Sequence, residues 1–157
     1  LDSKEARQYT VFMNSILAQG SPALLNDAAL VLPELGSAQA GFPSPAADLQ
    51  EKAIDLGQVL VTHPQATFLI RARGHSMIDA GIHDNAILVV DRALKPQHMD
   101  IVVAVVDGEF TIKHLWKRGG RPKLKAANPT FPDITPKDGQ TLEIWGVVTA
   151  GINQYRK

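Results

Sequence analysis

The chain of 157 residues sets sixteen Lys and Arg against sixteen Asp and Glu, is 45% hydrophobic and contains no cysteine. This length suits one domain with an appendage, the apolar content excludes a wholly disordered chain, and the balanced charge gives no hint of the basic face of a stand-alone DNA binder. Disulfide and thiol chemistry are excluded, which suits the cytoplasm, and the longest apolar runs, Ile101–Val106 and Ala86–Val90, are too short to span a bilayer.

Residues 4–19 read as a helix: Tyr9, Phe12, Met13 and Ile16 fall on one stripe, Asp2 with Glu5 makes a capping box, and Gly20 with Pro22 closes the segment. The stripe must dock on its own domain, on a dimer mate or on an outside partner. One helix whose only basic residues are Lys4 and Arg7 does not make a helix-turn-helix head. Residues 20–50, with Pro22, Pro33, Pro43 and Pro45, read as a flexible, partly extended linker. Within it Ala38-Gln39-Ala40 has the small-residue pattern of a signal-peptidase site. The stretch upstream is broken by Asn26, Asp27 and Pro33 and has no basic n-region, so secretion is disfavoured. From Leu56 onward short β runs take over: Gln58–Thr62, Thr67–Arg73, Ala86–Asp91, Ile101–Val106, Glu109–Trp116, Lys123–Ala127 and Leu142–Thr149, punctuated by Asp107-Gly108 and Asp138-Gly139. The fold class is mainly β, a curled sheet or partly open barrel behind an N-terminal arm carrying a short helix.

Chemistry concentrates in three places. Ser76 lies in the turn Gly74-His75-Ser76-Met77-Ile78-Asp79, Lys113 ends the run Phe110-Thr111-Ile112-Lys113, and Ala40-Gly41 precedes Phe42-Pro43. A serine hydroxyl needs a base within hydrogen-bond reach, and a lysine can serve only when neutral. Burial disfavours the ammonium, and an apolar strand can supply it. Alternation puts Thr111, Lys113 and Leu115 on one face and Phe110, Ile112 and His114 on the other. Taken singly, Lys113 reads as an ordinary exposed strand lysine and Ser76 as a turn serine; their joint spacing with Ala40-Gly41 suggests a Ser-Lys peptidase that cuts its own chain. The backbone N–H groups of His75 and Ser76 are candidate oxyanion donors. The His75 side chain is a poor candidate base, because neighbouring residues on extended backbone point apart. The missing second glycine argues against a Gly-Xaa-Ser-Xaa-Gly elbow. His63, His83, His98 and His114 show no ligand spacing, so neither a metal nor a cofactor is expected. Lys117, Arg118, Arg121, Lys123 and Lys125 cluster around Gly119-Gly120 and read as a solvated hairpin tip before a nucleic-acid patch.

Four segments, Gly41-Phe42-Pro43-Ser44-Pro45-Ala46-Ala47-Asp48, Gly74-His75-Ser76-Met77-Ile78-Asp79, Val106-Asp107-Gly108-Glu109-Phe110-Thr111-Ile112-Lys113 and Trp145-Gly146-Val147-Val148, resemble the UmuD branch of the LexA-like self-cleaving serine peptidases, in the family order. The resemblance runs from Gly41 to about Val148. It implies a LexA/UmuD-like peptidase domain over 41–157 that forms homodimers, and an arm, 1–40, removed by cutting between Ala40 and Gly41. It further implies Ser76 as nucleophile and Lys113 as general base. The implied partners are a RecA–single-stranded-DNA filament that stimulates the cut in the SOS response and a UmuC-like Y-family translesion polymerase, with the replicative sliding clamp as a further one. Strong direct DNA binding and membrane association are not expected. His75 stands where UmuD-type sequences often carry an acidic residue, and the stretch before Ala40 is longer than the usual arm, so arm docking is not carried over. The alternative is a LexA-type self-cleaving repressor without its full DNA-binding head.

Overall fold

A computed structural model describes residues 29–34 and 52–156. Its body is one six-stranded antiparallel sheet. The strands are β3 (Thr67–Arg71), β4 (Ile87–Asp91), β5 (Ile101–Val106), β6 (Glu109–Trp116), β7 (Lys123–Lys125) and β8 (Leu142–Ile152), in the order β3-β4-β8-β5-β6-β7. Apart from it, β1 (Val31–Glu34) and β2 (Lys52–Asp55) pair antiparallel as a two-stranded ribbon. The mainly β expectation is borne out. The six-stranded sheet is curled and unclosed: its ladders slip register between Val89 and Val90 and between Val103 and Ala104, and β3 and β7 remain its two edges. Bulges of this kind bend a strand and raise its twist.

β5 explains why the sheet is buried on both sides. Ile101, Val103 and Val105 join a cluster with Ala72, Met77, Ile82, Ala86, Leu88, Val90 and Trp145. Val102, Ala104 and Val106 join another with Leu115, Leu124 and Val147. A strand with core on both faces reads as a continuous apolar run, which is what this one is. It turns into β6 through Asp107 and Gly108, both at positive φ (49° and 87°), which is what a two-residue hairpin of primed type requires. The Asp107 carboxylate accepts from Gln140 Nε2 at 2.6 Å and Thr141 N at 3.0 Å, tying the hairpin to the start of β8.

Three expectations need correction. Gln58–Thr62 is not a strand: Leu56–Leu60 forms a single helical turn, α1, because the Asp55 side chain accepts from Gly57 N at 2.9 Å and caps it. The stretch read as linker contains β1, whose Glu34 pairs with Lys52, and the Leu30 carbonyl just before it accepts from Leu56 N at 3.1 Å. The last strand runs to Ile152 rather than Thr149. The helix expected over 4–19 lies outside the described residues.

Beside Trp145, a Cβ added to Gly146 would meet Val90 Cγ1 at 2.7 Å and Arg92 Cγ at 3.3 Å. Val90 is fully buried and has no room to yield. Gly146→Ala is therefore expected to destabilise the fold by about 1–3 kcal/mol through overpacking. Denaturant unfolding checks this; a midpoint equal to the parent's would show that the β4–β8 contact is looser than described.

Candidate active site

Lys113 sits near the middle of β6, paired with Val102 of β5, and only 7% of it is exposed. Its Nζ donates to Ser76 Oγ at 2.7 Å, to the Ile112 carbonyl at 2.9 Å and to Thr111 Oγ1 at 3.3 Å. Among the described residues no carboxylate pairs with it. Burial without a counter-ion pushes its ammonium below the ordinary lysine range. A buried lysine that holds a serine hydroxyl at hydrogen-bond distance, and whose charged form is disfavoured, is poised to take that hydroxyl's proton.

Ser76 is held by its neighbours on both sides. Gly74, at φ 86°, adopts a left-handed conformation open to glycine, and its N–H donates to Asp84 Oδ1 at 2.7 Å. Met77 is 3% exposed and roots the turn in the core cluster beneath it. The residues after Met77 close a short 3₁₀ turn, Ile78–Ala80, and the Ile82 N–H returns to the Met77 carbonyl at 3.2 Å. A second segment braces the turn from outside. Ala127 N donates to the Ser76 carbonyl at 2.9 Å, Asp79 N donates to the Ala127 carbonyl at 2.9 Å, and Asn128 Nδ2 donates to the His75 carbonyl at 2.9 Å. Ser76 itself stays partly exposed, so a substrate carbonyl can reach it.

The structure thus brings Ser76 and Lys113 together across 37 residues of sequence. The His75 side chain is exposed and makes no hydrogen bond to Ser76 among the described residues. The N–H groups of His75 and Ser76 donate to no other described residue, which leaves them available to an incoming oxyanion. Ala40 and Gly41 lie outside the described residues; the segment containing them leaves from Glu34 and returns at Lys52, and these two residues are register partners. The basic tip stands as expected: Lys117, Arg118, Arg121 and Lys123 are exposed, and Lys125 Nζ lies 4.8 Å over the Trp116 ring. No helix among the described residues is long and apolar enough to cross a membrane.

Sequence reasoning missed the brace. Asn128-Pro129-Thr130 carries a turn signal, because Asn side chains cap the backbone two residues on, and here Asn128 Oδ1 accepts from Thr130 N at 3.0 Å. That signal says nothing of the Asn128 contact with His75, 53 residues away. It also missed the hydrogen bond between His63 Nδ1 and Asp91 Oδ2 at 2.6 Å, which ties the segment after α1 to the end of β4. Burial would raise the Asp91 carboxyl, but His63 and the N–H groups of Ala93 and Leu94 outweigh it and hold the carboxyl below its ordinary range.

Residues 33–149 match the Peptidase S24-like family. This chain belongs to that family. Similar proteins place it further. Protein ImpA of Escherichia coli is 48% identical over 121 residues, covering 76% of this chain and 81% of that one. Protein SamA of Salmonella typhimurium (strain LT2) is 47% identical over 117 residues, covering 74% and 81%. A LexA repressor from Caldicellulosiruptor saccharolyticus is 40% identical over 111 residues, covering 71% of this chain and 54% of that protein. ImpA and SamA are UmuD-family proteins, so the resemblance carried by the motifs is borne out. An S24-like domain is a serine peptidase domain, and the Ser76–Lys113 contact lies inside the matched span.

Proposed function

We propose that this S24-like protein cuts itself between Ala40 and Gly41, with Ser76 as nucleophile and Lys113 as general base. The observation that carries this reading is the 2.7 Å contact between a buried lysine, with no counter-ion among the described residues, and a partly exposed serine. Neutral Lys113 takes the Ser76 hydroxyl proton as Oγ attacks the Ala40 carbonyl carbon. The oxyanion is received by the N–H groups of His75 and Ser76. The Lys113 ammonium then gives its proton to the departing Gly41 amine, leaving an ester between Ala40 and Ser76. Water, deprotonated by Lys113, hydrolyses that ester and restores the serine. The small side chains at the bond suit a shallow site, and the ladder partners Glu34 and Lys52 bring both ends of the segment that carries it to one place.

The likeness to ImpA and SamA extends the proposal to SOS mutagenesis. A RecA–single-stranded-DNA filament stimulates the cut, and the trimmed homodimer, 41–157, becomes the accessory subunit of a UmuC-like Y-family polymerase in the cytoplasm. The sliding clamp is a further partner. The repressor reading is favoured less: the LexA relative is less similar than ImpA over a comparable stretch, and residues 1–40 carry a single helical pattern with two basic residues. The test is intact mass after incubation at mildly alkaline pH, with and without RecA filaments. Fragments 1–40 and 41–157 are expected, appearing faster with filaments. A reproducible cut at another bond overturns the assignment of the site.

A further inference from the structure

We infer that Asn128 is a positioning residue for the reaction proposed above: by holding the His75 carbonyl it fixes the direction in which the Ser76 N–H points. The argument rests on peptide planarity. In a trans peptide the C=O of one residue and the N–H of the next lie in one plane and point in opposite directions. The His75 carbonyl and the Ser76 N–H belong to the same peptide unit. Asn128 Nδ2 donates to that carbonyl at 2.9 Å, the shorter of two bonds to it (Ile78 N donates at 3.4 Å), so the plane cannot rotate without breaking the shorter one, and the Ser76 N–H is held facing away from Asn128. The same logic applies one residue on, where Ala127 N holds the Ser76 carbonyl at 2.9 Å and thereby orients the Met77 N–H.

Asn128 is itself fixed. Its Oδ1 accepts from Thr130 N at 3.0 Å and from Thr130 Oγ1 at 2.8 Å. Two donors on one end of the amide and a carbonyl acceptor at the other leave no ambiguity about which end is oxygen. Pro129 restricts the backbone of Asn128, and Phe131 N closes the turn on the Asn128 carbonyl at 3.0 Å. This is a rigid support whose one outward-reaching donor ends on the nucleophile turn. A capping asparagine needs only its oxygen for its own turn; the nitrogen's use on His75 has no role in that turn. An oxyanion donor acts only when it is already aimed at the place where charge develops, so loosening the plane weakens the transition state without disturbing the Ser76–Lys113 contact.

The experiment compares self-cleavage of the full chain across pH for the parent, Asn128→Ala, Asn128→Asp and Ser76→Ala, alongside thermal unfolding. Asn128→Ala removes the donor. Asn128→Asp keeps an oxygen for Thr130 but turns another oxygen toward the His75 carbonyl, so it preserves the local turn and still loses the positioning bond. Both variants are expected to lower the plateau rate by about 10- to 100-fold, less than the roughly 100- to 1,000-fold typical of removing an oxyanion donor outright. The pH midpoint set by Lys113 is expected to stay where it is, because the lysine environment is untouched. Loss of the plateau with an unchanged midpoint, in an Asp variant that melts with the parent, supports positioning. Either variant cleaving within about twofold of the parent overturns it, as does a midpoint that moves together with the melting temperature. If cleavage by the parent does not depend on Ser76, the peptidase reading falls and this inference with it; if it does depend on Ser76 and Asn128 proves indifferent, only the positioning role falls.

Discussion

Ser76→Ala and Lys113→Ala are each expected to slow self-cleavage by at least about 10,000-fold, to below detection in an assay of hours, while leaving the fold in place. The reason is the division of labour in the 2.7 Å contact. Without the hydroxyl nothing attacks; without the amine nothing takes the hydroxyl's proton, and a serine alone is a weak nucleophile. Groups that act as one unit are not additive, so the double variant should be no slower than the slower single one. His75→Ala is the matching control: its side chain is exposed and makes no hydrogen bond to Ser76 among the described residues, and it should keep most of the activity. Intact-mass time courses on variants with parent-like circular dichroism decide the matter. Cleavage by the Lys113→Ala protein at a rate near the parent's would remove lysine from the mechanism. Complete loss in a folded His75→Ala protein would put a Ser-His mechanism in its place.

How much of this could be read without coordinates depends on the range of the force involved. The strand Ile101–Val106 and its Asp107-Gly108 turn are local facts: an apolar run too short for a membrane, then the residues a tight hairpin accepts. The shared face of Thr111 and Lys113 is likewise local, since alternation fixes it, and both side chains do meet at Nζ. Whether that face was wet or dry was not local. It depends on the nucleophile turn folding over Lys113, which is why an ordinary exposed lysine is the better reading of that residue alone. α1 was missed because one side-chain cap from Asp55 outweighs the β propensity of Val59 and Val61. β1 was missed because Pro33 argues against a central strand, yet a proline is tolerated in a ribbon with a free edge. The Asn128 brace joins segments 53 residues apart through one side-chain amide, and no spacing rule in a single sequence reports such a bond.

The cleavage rate is expected to climb by about tenfold for each pH unit until Lys113 is largely neutral, then to level off. Burial is the cause: it lowers the lysine pKa in the folded protein, so the plateau is reached at lower pH than an exposed lysine would allow. The same shift has a thermodynamic side with a definite sign. Between the lowered folded value and the ordinary unfolded value, the unfolded chain binds more protons than the folded one, so stability contributed by this group rises with pH across that window. Below the folded value the protein carries a buried ammonium with no carboxylate partner among the described residues, and the full cost is present. Lys113→Met fills similar space without charge. It is expected to abolish cleavage and to raise stability near neutral pH by about 0.5–2 kcal/mol, the usual direction when an active-site group held under strain is replaced. That advantage should shrink as pH rises from the folded value toward the ordinary lysine range, because the proton that the parent must give up on folding is ever less firmly held by the unfolded chain. Rate profiles between about pH 6 and pH 10, paired with denaturant unfolding of parent and Lys113→Met at both ends, test the two halves together. A flat rate profile with chemistry shown to be rate-limiting would rule out a lysine base. A Lys113→Met advantage that grows with pH would mean that burial is not what sets the lysine's state. If both trends hold, the charge state that makes the protein least stable is also the one that keeps the cut from starting, so the stability lost to burying Lys113 is what makes its neutral, catalytic form accessible.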